Sequence, residues 1–235
     1  VGAALRGLSY AHARTGADGQ PLGLVHRDVS PHNLLVSFQG DVKLVDFGIA
    51  RLAGVAESQG TSKPGGGKFA YMSPEQAKGE PVDRRADVFS AGIVLYELLV
   101  GHRLYDDPDP AKKLERVRKA EIPDPRLENA SIPDALWEIL QKALARDPED
   151  RYLSAETFEE DLRAFLYEQG LRADAGRMVE FLEEVYAAEM EQDPAADDLH
   201  RLAEDFARLQ AGRTRTGDGS SMEAVSQSSR EALTG

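Results

Sequence analysis

The chain has no cysteine, one tryptophan and few aromatics (7%), and its 28 Lys and Arg are outnumbered by 41 Asp and Glu. Without cysteine, disulfides, thiolate chemistry and cysteine-ligated zinc are excluded, and nothing asks for an oxidising compartment. A formal charge of −13 argues against nucleic acid as a partner, because phosphate contacts need clustered Lys and Arg. No charged start followed by an apolar run marks a signal peptide. The longest apolar stretch, Ile93 to Val100 interrupted by Glu97, is too short to span a bilayer. The expectation is a soluble, cytoplasmic polypeptide with no membrane segment, a membrane anchor in a longer parent staying open.

What is present suffices for a core: 41% of the 235 residues are hydrophobic, enough for one large domain with appendages. Val1, Leu5, Leu8 and Ala11 or His12 recur at spacings of three and four, which predicts a helix over Val1 to Ala13. A Gly-rich loop follows. Leu34-Leu35-Val36 and Val42-Lys43-Leu44-Val45, separated by Phe38-Gln39-Gly40-Asp41, predict a hairpin that places Asn33 before one strand and Asp46 after the other. From Ala53 to Gly67 the composition is that of a mobile loop. The nearly continuous apolar run Asp87 to Val100 predicts a helix buried on most sides. Further helices are expected at Pro110 to Lys119, Pro133 to Ala145 and Ala155 to Gln169.

Residues 171–210 carry eleven acidic and four basic side chains. They contain two amphipathic stretches, around Met178 to Val185 and Leu199 to Leu209, too short for a coiled coil. An acidic helical extension is expected over 168–210, and a disordered Gly- and Ser-rich tail over 211–235.

The most informative stretch is His26-Arg27-Asp28-Val29-Ser30-Pro31-His32-Asn33, followed thirteen positions after the Asn by Asp46-Phe47-Gly48. Any one of Asp28, Asn33 or Asp46 alone reads as a turn residue. Together they give one carboxylate for a substrate proton, and an amide and a second carboxylate for magnesium. With this spacing, residues 1–167 resemble the catalytic, C-terminal lobe of bacterial eukaryotic-like serine/threonine protein kinases. The fold implied is α+β, a protein-kinase-like large lobe, mainly α-helical, with a short β-hairpin at the catalytic site and the small N-terminal lobe missing. The resemblance implies that Asp28 handles the substrate hydroxyl proton and that Asn33 and Asp46 hold Mg2+ on ATP, with proteins as substrates. His26, Phe47 and Gly48 support the loop.

Tyr71-Met72-Ser73-Pro74-Glu75 resembles the segment that closes the family's activation loop, and Arg151 matches the distant ion-pair partner of Glu75. Asp87 resembles the residue whose carboxylate accepts catalytic-loop amides, with a plain helix cap as the alternative. Arg27 implies control by a phosphate on the loop, for which Ser58, Thr61 and Ser62 are available.

Two positions depart from the family pattern. Ser30 stands where a Lys usually touches the transferred phosphate, and Gly67-Lys68 stands where Gly-Thr is usual. Lys68 is therefore expected to supply the charge missing at Ser30, a solvated surface Lys being the other reading. Gly65-Gly66-Gly67-Lys68 is no P-loop, since Ser62 and Phe69 fail the required pattern. His12, His32, His102 and His200 show no ligand spacing and are assigned no chemistry. No Gly-rich loop or strand Lys precedes residue 26, so this chain on its own is expected to be inactive. A kinase-like protein-binding module, or pseudokinase, is the alternative.

Overall fold

The computed structural model describes residues 1–47 and 69–190, with side chains to residue 187. By internal packing the chain divides into Val1–Glu180 and Phe181–Gly235. The first unit opens with α1 (Gly2–His12), whose Ala4, Leu5, Leu8 and Ala11 form a buried stripe at helical spacing. Residues 14–22 then fold back on themselves through an antiparallel bridge between Thr15 and Pro21.

The expected hairpin is present as β1 (Leu34–Val36) and β2 (Val42–Leu44), antiparallel, with Leu34 opposite Leu44, Leu35 opposite Lys43 and Val36 opposite Val42. It is the one sheet among the described residues. Helices α2 (Pro74–Lys78), α3 (Arg85–Val100), α4 (Pro110–Lys119), α5 (Asp134–Ala143) and α6 (Ala155–Glu168) make the body. Their ends carry local signals. Asp109 accepts the N–H of Ala111 and Ser154 that of Thr157, while Gly79 ends α2 at φ 73°. Helix α7 (Ala175–Met190) begins in the first unit. The second unit is described only as far as Met190, as helix.

Helix α3 explains its own composition. Val88 and Ala91 face a cluster with Leu5, Leu8, Val29, Phe158 and Leu162, and Phe89, Ile93 and Tyr96 face another with Tyr105, Val117, Trp137 and Leu140. A helix with core on both sides has no polar face to show. Burying each such side chain contributes about 1.5–3 kcal/mol, so α3 is a buried axis shared by both clusters. Among the described residues no helix is long and apolar enough to cross a membrane.

The candidate active site

Residues 13–33 join α1 to β1, and the part from His26 to Asn33 is held by hydrogen bonds to Asp87, Val45 and Gln76 and within itself. Asp87, wholly buried in the first turn of α3, accepts the N–H of His26 on Oδ2 (2.8 Å) and of Arg27 on Oδ1 (2.8 Å). The alternative reading of Asp87 as a helix cap does not hold: the N-cap position belongs to Arg84, three residues before it. An ionised carboxylate is acceptor-only, and both oxygens are spent on the loop. Arg27 is thereby held at φ 66°, a left-handed conformation that costs a residue with a side chain on the order of 1 kcal/mol.

His26 is fully buried, with Nε2 2.9 Å from the Val45 carbonyl and Nδ1 facing the N–H of Asp28 at 3.3 Å. The first partner only accepts and the second only donates, so Nε2 acts as the donor and Nδ1 as the acceptor. Its ring stands 4.5 Å from that of Phe47. His26 thus ties the residue before Asp46 to the segment carrying Asp28.

Asn33 closes the arrangement. Its Nδ2 donates to the Asp28 carbonyl (2.7 Å) and to Asp28 Oδ2 (3.2 Å), while its own carbonyl accepts the N–H of Val45 (2.9 Å), extending the hairpin ladder by one rung. Asp28, Asn33 and Asp46 are therefore brought to one edge of the hairpin. Asp28 and Asp46 are exposed there, Asp46 at φ 59°. With Nδ2 engaged by Asp28, Asn33 Oδ1 has no hydrogen-bond partner among the described residues. That leaves one amide oxygen and one exposed carboxylate, a donor set suited to Mg2+, which takes one or two protein oxygens and completes its shell with phosphate and water. Among the described residues no three His, Cys, Asp or Glu gather as a metal site of their own. A hollow of about 590 Å³ behind the loop, lined by His12, Leu24, Val25, Arg84 and Glu149 among others, includes none of the three.

The segment after the undescribed stretch is anchored to α3. The Tyr71 hydroxyl donates to Glu97 Oε2 (2.6 Å), and Ser90 Oγ donates to the Tyr71 carbonyl (2.7 Å). Burial first, and Glu97 second, push the Tyr71 phenol well above its ordinary range. Glu75 and Arg151, 5% and 3% exposed, form a two-pronged pair at 2.7 and 2.8 Å. Arg151 also donates to the carbonyls of Ala145, Arg85 and Arg146, so all five of its N–H groups are used. Burial pushes the Glu75 carboxyl up, but the hydrogen bonds and charge of Arg151 outweigh it and hold the group below its ordinary 4.5.

His12 and Gln76 were missed in the sequence. His12 Nε2 lies 2.8 Å from Asp87 Oδ2, a structural contact that the sequence reading did not name. Its place in the inward phase of α1, four residues after Leu8, was the available signal. Gln76 bonds the carbonyl of Arg27, and the Ser-x-x-Gln pattern of a capping box announced it. Ser30 is buried at 6% exposure. Gly48, Lys68, Ser58, Thr61, Ser62 and His200 lie outside the described residues, as do the expected loop 53–67, the second amphipathic stretch and the tail 211–235.

The chain is 46% identical over 168 residues to the tyrosine-protein kinase MasK of Myxococcus xanthus, a match covering 70% of the chain and 25% of that protein. It is 38% identical over 170 residues to the probable serine/threonine-protein kinase PknB of Bifidobacterium longum, covering 69% and 22%. Against the serine/threonine-protein kinase PknB of Mycolicibacterium smegmatis it is 38% identical over 161 residues, covering 68% and 24%. The chain thus spans about a quarter of the length of these relatives. Residues 1–162 match the family model described as the protein kinase domain, and with a carboxylate, an amide and a second carboxylate gathered on one hairpin edge, the chain belongs to that family.

Proposed function

We propose that this chain is the catalytic lobe, residues 1–167, of a serine/threonine protein kinase whose parent transfers the γ-phosphate of Mg-ATP to protein hydroxyls. The observation that carries the reading is Asn33, bonded at once to Asp28 and, through the ladder, to the residue preceding Asp46. Asp28 accepts the proton of the substrate hydroxyl, its carboxylate oriented by the Asn33 amide. Asn33 Oδ1 and the Asp46 carboxylate hold Mg2+, which neutralises charge on the phosphates. His26, Phe47, Gly48 and Asp87 fix the loop, and Glu75 with Arg151 fixes the segment that presents the substrate. Arg27 has a buried Nε with no partner among the described residues, which suits a phosphate on Ser58, Thr61 or Ser62. Lys68 supplies the charge that Ser30 cannot.

The small lobe that covers ATP lies upstream in the parent, and the isolated chain is inactive. The location is cytoplasmic. MasK, named a tyrosine kinase and 46% identical, favours hydroxyl selection for Tyr as the second reading. The test is radiolabel transfer by the complete domain, encoded together with the sequence upstream of Val1. Asp28→Asn lowers kcat by about 10²–10⁴ with little change in nucleotide affinity, Lys68→Ala lowers it by about 10²–10³, and phosphoamino-acid analysis returns Ser and Thr. Full turnover by Asp28→Asn rejects the mechanism, full turnover by Lys68→Ala rejects the substitution for Ser30, and phosphotyrosine alone selects the second reading.

A further inference from the structure

Gln76 sits at the third position of α2, where its side chain does two things at once. Its Oε1 accepts the N–H of Ser73 (3.0 Å) and the Ser73 hydroxyl (3.1 Å), while the Ser73 Oγ accepts the N–H of Gln76 (3.4 Å), the reciprocal bonding of a capping box. Its Nε2 donates to the carbonyl of Arg27 at 3.0 Å, across 49 residues of sequence. The orientation of the amide follows from its partners. Ser73 N–H can only donate and the Arg27 carbonyl can only accept, so the reversed amide would set donor against donor and acceptor against acceptor.

Arg27 is the residue held at φ 66°, immediately before Asp28. Asp87 holds the N–H of Arg27 and Gln76 its C=O, so the peptide units on both sides of Arg27 are fixed. The Arg27 carbonyl belongs to the peptide unit whose nitrogen is that of Asp28, so rotation of this unit swings the Asp28 side chain. A helix cap needs only the Oε1 half of Gln76, and a glutamate would serve it equally well. The Nε2 half is left for the loop.

We propose that Gln76 is a positioning residue for phosphoryl transfer: its amide couples the end of the substrate-presenting segment to the peptide that aims Asp28, so the carboxylate is aimed only when α2 is capped and docked. The inference rests on Asp28 being the proton acceptor in the reading above.

Gln76→Glu separates the two roles, because it keeps the cap and replaces the donor with a carboxylate that repels the Arg27 carbonyl. In the complete domain its thermal midpoint stays with wild type while kcat near pH 8 falls about tenfold, the scale of one lost positioning hydrogen bond, and KM for ATP moves little. As pH falls to about 5.5, towards the range where a carboxylate beside a carbonyl takes up a proton, the acid O–H can donate. The ratio of variant to wild-type kcat therefore rises. Gln76→Ala, which lacks both halves, loses kcat and stability together and shows no such rise. Unchanged kcat in Gln76→Glu, or a fall in kcat matched by a fall in midpoint and indifferent to pH, overturns the proposal. A wild-type domain that transfers no phosphate counts against the kinase reading instead. The coupling is then read by hydrogen exchange on the present chain, where Gln76→Glu speeds exchange of the 26–33 peptide at neutral pH, and unchanged exchange overturns the proposal.

Discussion

Arg151 shows how much a single side chain has to satisfy when charge is buried. Its five N–H groups meet two carboxylate oxygens and three carbonyls, and its guanidinium lies 4.8 Å from the centre of the Phe89 ring. Removing it strands the Glu75 carboxylate, so Arg151→Ala is expected to cost roughly 3–5 kcal/mol, a large share of the 5–15 kcal/mol that holds a typical domain. The same pair makes stability depend on pH. Because the folded Glu75 carboxyl titrates below its ordinary 4.5, its contribution is fully present above that value and is lost as pH falls through the lower folded value. Urea unfolding followed from about pH 6 to about pH 3 should show the acid loss, and Glu75→Gln, which has no proton to gain, should flatten that part of the curve. An identical acid slope in the variant would show that the destabilisation arises elsewhere.

At the level of elements, α3 and α5 meet at a glycine. A Cβ on Gly92 would lie 3.0 Å from Leu144 Cδ2, 3.1 Å from Leu144 Cγ and 3.3 Å from Ala143 Cβ. Alanine would gain about 1 kcal/mol of helix propensity, against about 1–3 kcal/mol for overpacking a closed contact. Leu144 and Ala143 are buried at the end of α5 and have little room to retreat, so the contact wins. Gly92→Ala is expected to lower the thermal midpoint modestly and Gly92→Val severely; a raised midpoint for alanine would mean that α5 yields. The same helix shows where sequence reading works. The period of α1, the apolar run of α3 and the Pro-initiated α4 were legible because burial and caps are written locally, and α4 matches its expected span residue for residue. Asp28, Asn33 and Asp46 were legible as a spacing, and the hairpin register brings them together. Illegible were contacts between distant segments: His12 on Asp87 and Gln76 on Arg27 join residues 75 and 49 positions apart. The short α2 was passed over because a five-residue helix has no apolar period to detect, although its Ser-Pro-Glu-Gln start carried the cap signal.

For the molecule as a whole, the hairpin is where the proposal of a lobe separated from its partner meets a measurable surface. A two-stranded ribbon is marginal without apolar cover. Leu34 and Leu44 find that cover on the core. Leu35 and Val36, by contrast, are 55% and 47% exposed, and they follow Asn33 closely in the chain. Adjoining apolar side chains left open beside a site mark a surface that something covers, and in the proposed parent that cover is the upstream lobe with its nucleotide. The isolated chain should therefore bind an environment-sensitive apolar dye, and the double variant Leu35→Asp with Val36→Thr should lose that signal while keeping its thermal midpoint, because both side chains are exposed. In the complete domain the wild-type signal should already be absent, and the double variant should weaken nucleotide binding. Dye binding that survives both the substitutions and the addition of the upstream sequence would place the exposed surface elsewhere and remove the physical ground for expecting a second lobe on this edge.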